Sequence, residues 1–270
     1  MPTPPRLSLP RRTVAALACA GLVCGATGVA RPAAAQTTAP GTAAPGTAAP
    51  GTTAPGLRDL VTQAAEDVRR LVSTDSAVVL SIGGIAAAVG HAGDRNLSNG
   101  MAGAGSLKGL FSVGETMGGA RMQAAGALAT YAIGRATSNQ TVARIGGDLI
   151  RAQIVTQMVT AAVKTATGRT RPDGTQFSFP SGHSAVTFAS ATVLQRNLGW
   201  KVGIPAYALA GYVAASRVQV RRHFLSDVTF GAALGIAAGR TVTIGRGTHR
   251  FALAPAAVPG GGAITLTLIK

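Results

Sequence analysis

The sequence predicts a mainly all-α protein, a helical bundle followed by a short C-terminal β-hairpin tail. Three observations point there. Apolar residues recur at three- and four-residue steps through most of the chain from Leu57 to Arg240. Hydrophobic residues make up 47% of the chain but aromatic ones only 4%, with 36 glycines, a composition suited to closely packed helices with small contact residues. After Gly239 the texture changes to alternating Thr-, Ile- and Val-rich segments, "TVTIGRG", "RFALAP" and "AITLTLIK", with a turn at Pro259-Gly260-Gly261-Gly262.

Residues 1–35 read as an export signal. Arg6, Arg11 and Arg12 form a basic start, an Ala-rich apolar run extends from Val14 to Ala30, and Ala33-Ala34-Ala35 offers a small-residue cleavage site before Gln36. The Arg11-Arg12 pair lacks the bulky apolar followers of a twin-arginine signal, and neither Cys19 nor Cys24 follows a good lipobox. Both cysteines fall in this segment, so the cleaved chain has no disulfide and no Cys metal site. Residues 36–56 repeat Ala-Pro-Gly-Thr with a five-residue period and read as an extended, flexible linker.

The helical domain is expected over residues 57–241. Leu57, Leu60, Val61, Ala64, Val68 and Leu71 mark an amphipathic first helix, and Ser76 to Val89 a more apolar second one. Gly-rich sequence from Gly90 to Gly105 is expected to break the pattern, and the 90–119 segment is a candidate cover for a site. Further helices are expected at 120–136, 140–166, 183–197, 201–217 and 226–240, then the β-rich tail at 242–270. A membrane span needs about 20 consecutive apolar residues. Met122–Gly134 and Val202–Ser216 are shorter charge-free runs flanked by cations. The expected location is therefore exported, periplasmic or membrane-peripheral, with an integral membrane domain as the alternative.

The formal net charge of +16 fits nucleic acid, an anionic membrane surface or a phosphorylated substrate. Charge alone would allow a basic binding module, but no aromatic platform for bases is evident, and such a module gives no reason for the histidines described next.

Three short stretches gather reactive side chains. "KTATGRTRP" holds Lys164, Arg169 and Arg171; "PSGH" ends at His183; "SRVQVRRHFLSD" holds Arg217, His223 and Asp227. Each cation singly fits a helix C-terminus, where it complements the dipole. Together, arginine forks and a lysine point charge suit the oxygens of a tetrahedral phosphate. Ser181 is a natural N-cap, the backbone N–H groups behind it can bind an anion, and Gly182 permits close approach. His223 and Asp227 are four apart, so a carboxylate could fix the imidazole tautomer and leave the other nitrogen as a nucleophile.

These residues resemble the superfamily of type 2 phosphatidic acid phosphatases, bacterial acid phosphatases and vanadium haloperoxidases. Its pattern is a Lys, six residues, Arg-Pro; then Pro-Ser-Gly-His; then Ser-Arg, five residues, His, three residues, Asp. Lys164 to Arg171-Pro172, Pro180 to His183, and Ser216-Arg217 with His223 and Asp227 fit without departure. The match covers about residues 120 to 240. The resemblance implies that superfamily's helical bundle and a metal-independent phosphatase using a phosphohistidine. In that reading His223 is the nucleophile, Asp227 orients it, and His183 is the general acid. Lys164, Arg171, Ser181, Gly182 and Arg217 hold the phosphate. No cofactor is implied; vanadate is expected to bind as a phosphate mimic. The expected substrate is a lipid phosphate or isoprenoid pyrophosphate, with a soluble acid phosphatase or a vanadate-dependent haloperoxidase as alternatives.

Other side chains carry no such pattern. His91 reads as a helix cap, His249 as surface, and Trp200, Tyr207 and Tyr212 as packing. Arg221 and Arg222 flank the expected nucleophile as attractors of anions or as a solvated face, and the role of Arg169 is open.

Overall fold

The structure, a computed structural model, describes residues 54–102, 108–244, 250–258 and 261–269. The expected signal segment and all but the last three residues of the expected linker lie outside the described residues. Those three are held in place. Ala54 is buried, its N–H donates to Gln140 Oε1 at 2.8 Å, and Arg135 and Tyr131 donate to the carbonyls of Ala54 and Pro55.

The described residues form nine helices: α1 (Leu57–Arg70), α2 (Thr74–His91), α3 (Asp94–Ala102), α4 (Lys108–Met117), α5 (Ala120–Ala136), α6 (Gln140–Thr167), α7 (Gly182–Leu198), α8 (Trp200–Gln219) and α9 (Leu225–Val242). Local chemistry explains their ends. Ser73, Asn139 and Ser181 cap α2, α6 and α7 by accepting the backbone N–H three residues on. Gly168, at φ +54°, closes α6 in the left-handed conformation. The helices from α5 onward fall within about two residues of the expected ones.

Two elements correct the sequence reading. The Gly-rich 90–119 segment contains α3 and α4 rather than a simple break. Its glycines are partly contact surface: a Cβ at Gly114 would collide with Ser216, and one at Gly118 with Val213, both on α8. Beyond Ile244 only backbone is described. There Arg250–Val258 runs antiparallel to Gly261–Ile269, without side chains to show what the pair packs on. The hairpin expected of the tail is therefore not supported as part of what is a mostly helical fold.

The core is built from small residues, with Ala64, Ala152, Ala185, Ala189, Ala237 and Ala238 around Leu149, Val155, Val193 and Leu234. α9 is central, packing on both α7 and α2, while α6 packs on α5 and α7. On α9, glycines at 231, 235 and 239 face α7. An added Cβ would stand 2.6 Å from Ser181 O at Gly231, 2.8 Å from Ala189 N at Gly235, and 2.6 Å from Thr192 Cβ at Gly239. The two backbones therefore run in near contact, and the N-terminal ends of α7 and α9 lie side by side. Ser181 N donates to Asp227 O at 3.0 Å across that junction.

A second buried device ties α1 to α6. Arg151 clamps the fully buried Asp67 with Nε at 2.7 Å and Nη2 at 2.6 Å, and reaches Asp148 at 3.4 Å. Among the described residues one helix, α2, is long and apolar enough to cross a membrane, and only 17% of that window is buried.

Candidate active site

The three motif stretches meet at the paired starts of α7 and α9. Ser181 caps α7 from a fully buried position, its Oγ accepting from Ser184 N at 3.4 Å. His183 follows in the first turn of that helix. Arg217 occupies the last turn of α8, and its carbonyl accepts from His223 N at 3.1 Å, which folds the α8–α9 connection back on itself. Arg221 makes that turn in the left-handed conformation at φ +57°. Lys164, in the last turn of α6, donates to Phe177 O at 2.6 Å, so the 169–179 loop is pinned to α6.

Asp227 is bonded through both carboxylate oxygens. Its Oδ1 accepts from Arg169 at 2.6 Å; its Oδ2 accepts from Phe224 N at 2.8 Å and from Ser178 Oγ in a short contact. Burial works to raise its pKa, but these hydrogen bonds and charges outweigh it and hold the carboxyl below its ordinary value. His223, only 3% exposed, has Nδ1 at 3.6 Å from Asp227 Oδ2. That is charge-pairing distance, just outside a hydrogen bond. The carboxylate is thus set to act on this ring by charge, since its Oδ2 is already bonded elsewhere. Nδ1 faces the acid, so Nε2 is the nitrogen left for chemistry. Burial lowers the His223 pKa, Asp227 opposes that, and Lys164 and Arg171 add to it, so the ring is held neutral.

His183 is pushed down to about 4, by burial first, then by the charges of Arg217 and His223; the Glu115 carboxylate and backbone work the other way. Burial and Arg171 bring Lys164 down to about 8. These mutual influences place Lys164, Arg171, Arg217, His183 and His223 around one another. Several of their polar atoms have no partner among the described residues: Arg171 Nε, Arg217 Nε and Nη1, and His223 Nδ1 are all buried and unbonded. A Cβ added at Gly182 would meet only Thr160 Cγ2, at an ordinary 3.6 Å. The protein's own packing does not require glycine there. Beside Arg171 a polar cleft opens, lined by His91, Asp94, Arg95, Arg169, Arg171 and Arg221.

Three neighbours were missed in the sequence. Ser178 bonds Asp227, Glu115 of α4 lies 3.7 Å from Arg217 and reaches His183, and Asp94 of α3 bonds Arg169. Glu115 and Asp94 are the two acids in the Gly-rich 90–119 stretch, which was the available signal. His91, expected as a cap, lies 3.1 Å from Asp94 Oδ2. Among the described residues no group of three or more His, Cys, Asp and Glu is arranged to hold a metal ion.

Comparison with known proteins bears on the same stretch. Residues 146–250 match the family model of the PAP2 superfamily, a span that contains every candidate site residue from Lys164 to Asp227. The lipid A 1-phosphatase of Porphyromonas gingivalis is 46% identical over 84 residues, 29% of this chain and 18% of that protein. The lipid A 4'-phosphatase of Helicobacter pylori is 32% identical over 97 residues, 32% of this chain and 49% of that protein. A decaprenylphosphoryl-5-phosphoribose phosphatase of Mycobacterium tuberculosis is 32% identical, covering 36% of this chain and 59% of that protein. The chain thus spans less than two thirds of the length of each of these relatives. A transmembrane PAP2-type phosphatidylglycerolphosphate phosphatase from Bacillus subtilis has a similar structure, with a TM-score of 0.50 at 18% identity, covering 68% of this chain and 92% of that one. At that identity the likeness is one of fold.

Proposed function

We propose that this chain, a PAP2-superfamily protein over residues 146–250, is a phosphatase that hydrolyses lipid phosphates through a phosphohistidine at His223. The observation behind this reading is the set of buried, unbonded donors on Arg171 and Arg217 converging beside two histidines held neutral by burial. Buried donors without partners cost free energy unless an acceptor completes them. A phosphoryl group fits, and its oxygens would use the space that Gly182 leaves open.

Phosphoryl transfer asks the protein mainly for positioning and charge stabilisation. Lys164, Arg171, Arg217 and the N–H groups at the start of α7 would hold the three phosphoryl oxygens. His223 Nε2 attacks phosphorus as the bond to the leaving oxygen breaks, and His183 gives that oxygen its proton. Asp227 balances the charge developing on His223. A water then attacks the phosphohistidine, its proton passes to His183, and the P–N bond breaks to release phosphate and free His223. His183 must be protonated at the first step, and the incoming phosphate dianion raises its pKa to make it so.

The curated relatives are named as lipid A and decaprenylphosphoryl phosphatases, which supports a lipid phosphate as substrate. Exposed Ile82, Ile85 and Val89 on α2 support work at a membrane surface, and the basic start and Ala-rich run within residues 1–35 support export. The test is phosphate release from an aryl phosphate in excess chelator. Turnover should persist there, and His223→Ala should lower it by more than about 10⁴-fold. Undiminished release by His223→Ala would sink the mechanism. Vanadate should inhibit; halide oxidation on vanadate loading would favour the haloperoxidase alternative.

A further inference from the structure

Arg169 lies inside the first motif stretch but belongs to none of the motif positions. Its guanidinium is almost entirely committed. Nη1 donates to Asp227 Oδ1 at 2.6 Å and to Ser226 Oγ at 2.7 Å. Nη2 donates to Asp94 Oδ2 at 2.7 Å and stands 3.1 Å from His91 Nδ1. The group also sits 4.5 Å from the centroid of the Phe224 ring. Both terminal nitrogens are spent on protein groups, so this arginine is not placed to grip a leaving group.

Asp94 is the other half of the arrangement. It is 2% exposed, comes from the first residue of α3, and reaches 132 residues along the chain. Its Oδ1 accepts from Ser226 N at 2.9 Å and its Oδ2 from Ser226 Oγ at 2.6 Å. It therefore satisfies a free N–H at the start of α9, the helix that bears Asp227.

We propose that Arg169 and Asp94 form a positioning pair for the nucleophile: Asp94 fixes the first turn of α9 and one side of the Arg169 fork, and Arg169 fixes and partly neutralises Asp227 opposite His223. The inference rests on the phosphohistidine reading. One guanidinium is shared between two carboxylates, so the charge that Asp227 presents to His223 depends on both partners. Losing Arg169 leaves Asp227 fully negative and His223 easier to protonate. Losing the charge of Asp94 gives Arg169 to Asp227 alone and makes His223 harder to protonate. The other charged and titratable groups around the ring are Lys164 from α6, Arg171 from the loop, His183 from α7 and Arg217 from α8. Glu115 from α4 and His91 at the end of α2 lie beyond them. Both changes remove a contact of His91, which stands 3.1 Å from Arg169 Nη2 and from Asp94 Oδ2; neither touches the others.

The experiment is the pH profile of kcat/KM for an aryl phosphate with the full chain carrying Arg169→Gln, Arg169→Lys or Asp94→Asn. Arg169→Gln should lower kcat by about 100-fold through misplacement of the nucleophile, with KM changed much less. Its acid limb should move up by about one pH unit, and that of Asp94→Asn should move down. Arg169→Lys should restore much of the limb position but less of kcat, because one ammonium cannot reach both carboxylates as a fork does. Limbs that stay where they are in all three variants, with kcat merely scaled down, overturn the pair. So does a shift of the same sign in Arg169→Gln and Asp94→Asn. Should Arg169→Gln fail to fold, Asp94→Asn decides: its acid limb should move down while that of Arg169→Lys stays near the parent's, and an unmoved Asp94→Asn limb overturns the pair. A His223→Ala protein with full activity removes the nucleophile and the pair together; an inactive one, with unmoved limbs in the Arg169 and Asp94 variants, removes the pair alone.

Discussion

In the proposed mechanism His183 is neutral in one state and protonated in another. In the free site its pKa is about 4, set by burial and Arg217. Phosphate or vanadate held between Lys164, Arg171 and Arg217, as proposed, would bring negative charge to its side. We expect its NMR titration to move up by about one to three units on binding. His183→Ala should cost about 10² to 10⁴ in kcat, more with an alkyl than with a nitrophenyl leaving group, because only the alkoxide needs a proton. The same depression has a stability consequence. Between about pH 4 and 6.5 the unfolded chain binds protons at His183 that the folded chain does not, and His223 acts in the same direction. Stability therefore rises with pH across that window and falls on acidification. Melting temperature followed from pH 6.5 down to 4 should drop, and less steeply for His183→Gln.

At the scale of elements, the junction of α7 and α9 determines whether the motif residues meet. Gly235→Val would place its Cβ against Ala185 O and 2.8 Å from Ala189 N, space that glycine leaves clear. Overpacking of this kind costs about 1–3 kcal/mol. Here it should also separate the two helix starts, so kcat should fall further than the melting temperature alone explains. Arg151→Ala tests the opposite case, since it strands the buried Asp67 far from the candidate catalytic groups. We expect a loss of about 3–5 kcal/mol by denaturant unfolding with turnover per folded molecule unchanged. The helices α5 to α9 were legible because each is a long helix-compatible run set off by local turn residues, with side-chain caps at Asn139 and Ser181 marking the starts of α6 and α7. The pair α3 and α4 was not, because glycines at 114 and 118 read as breakers until α8 is seen against them.

For the molecule as a whole, surface chemistry complements the site. The chain is strongly basic, and α2 exposes Ile82, Ile85 and Val89. Binding to vesicles that contain anionic lipid should weaken as salt rises, whereas charge-neutral vesicles should show little salt dependence. The sequence by itself determined the mostly helical class and the candidate chemistry, because helix periods, caps and the spacings from Lys164 to Asp227 are local facts. Tertiary structure alone decided what surrounds that chemistry. It brought Asp94 of α3 to Arg169 and the start of α9, Glu115 of α4 to Arg217 and His183, and Ser178 to Asp227, bonding the carboxylate so fully that His223 is left at charge-pairing distance. The physical reason is distance along the chain. A contact between residues 94 and 226 leaves no period or spacing in the sequence, and it exists only once the small faces of α7, α8 and α9 have packed.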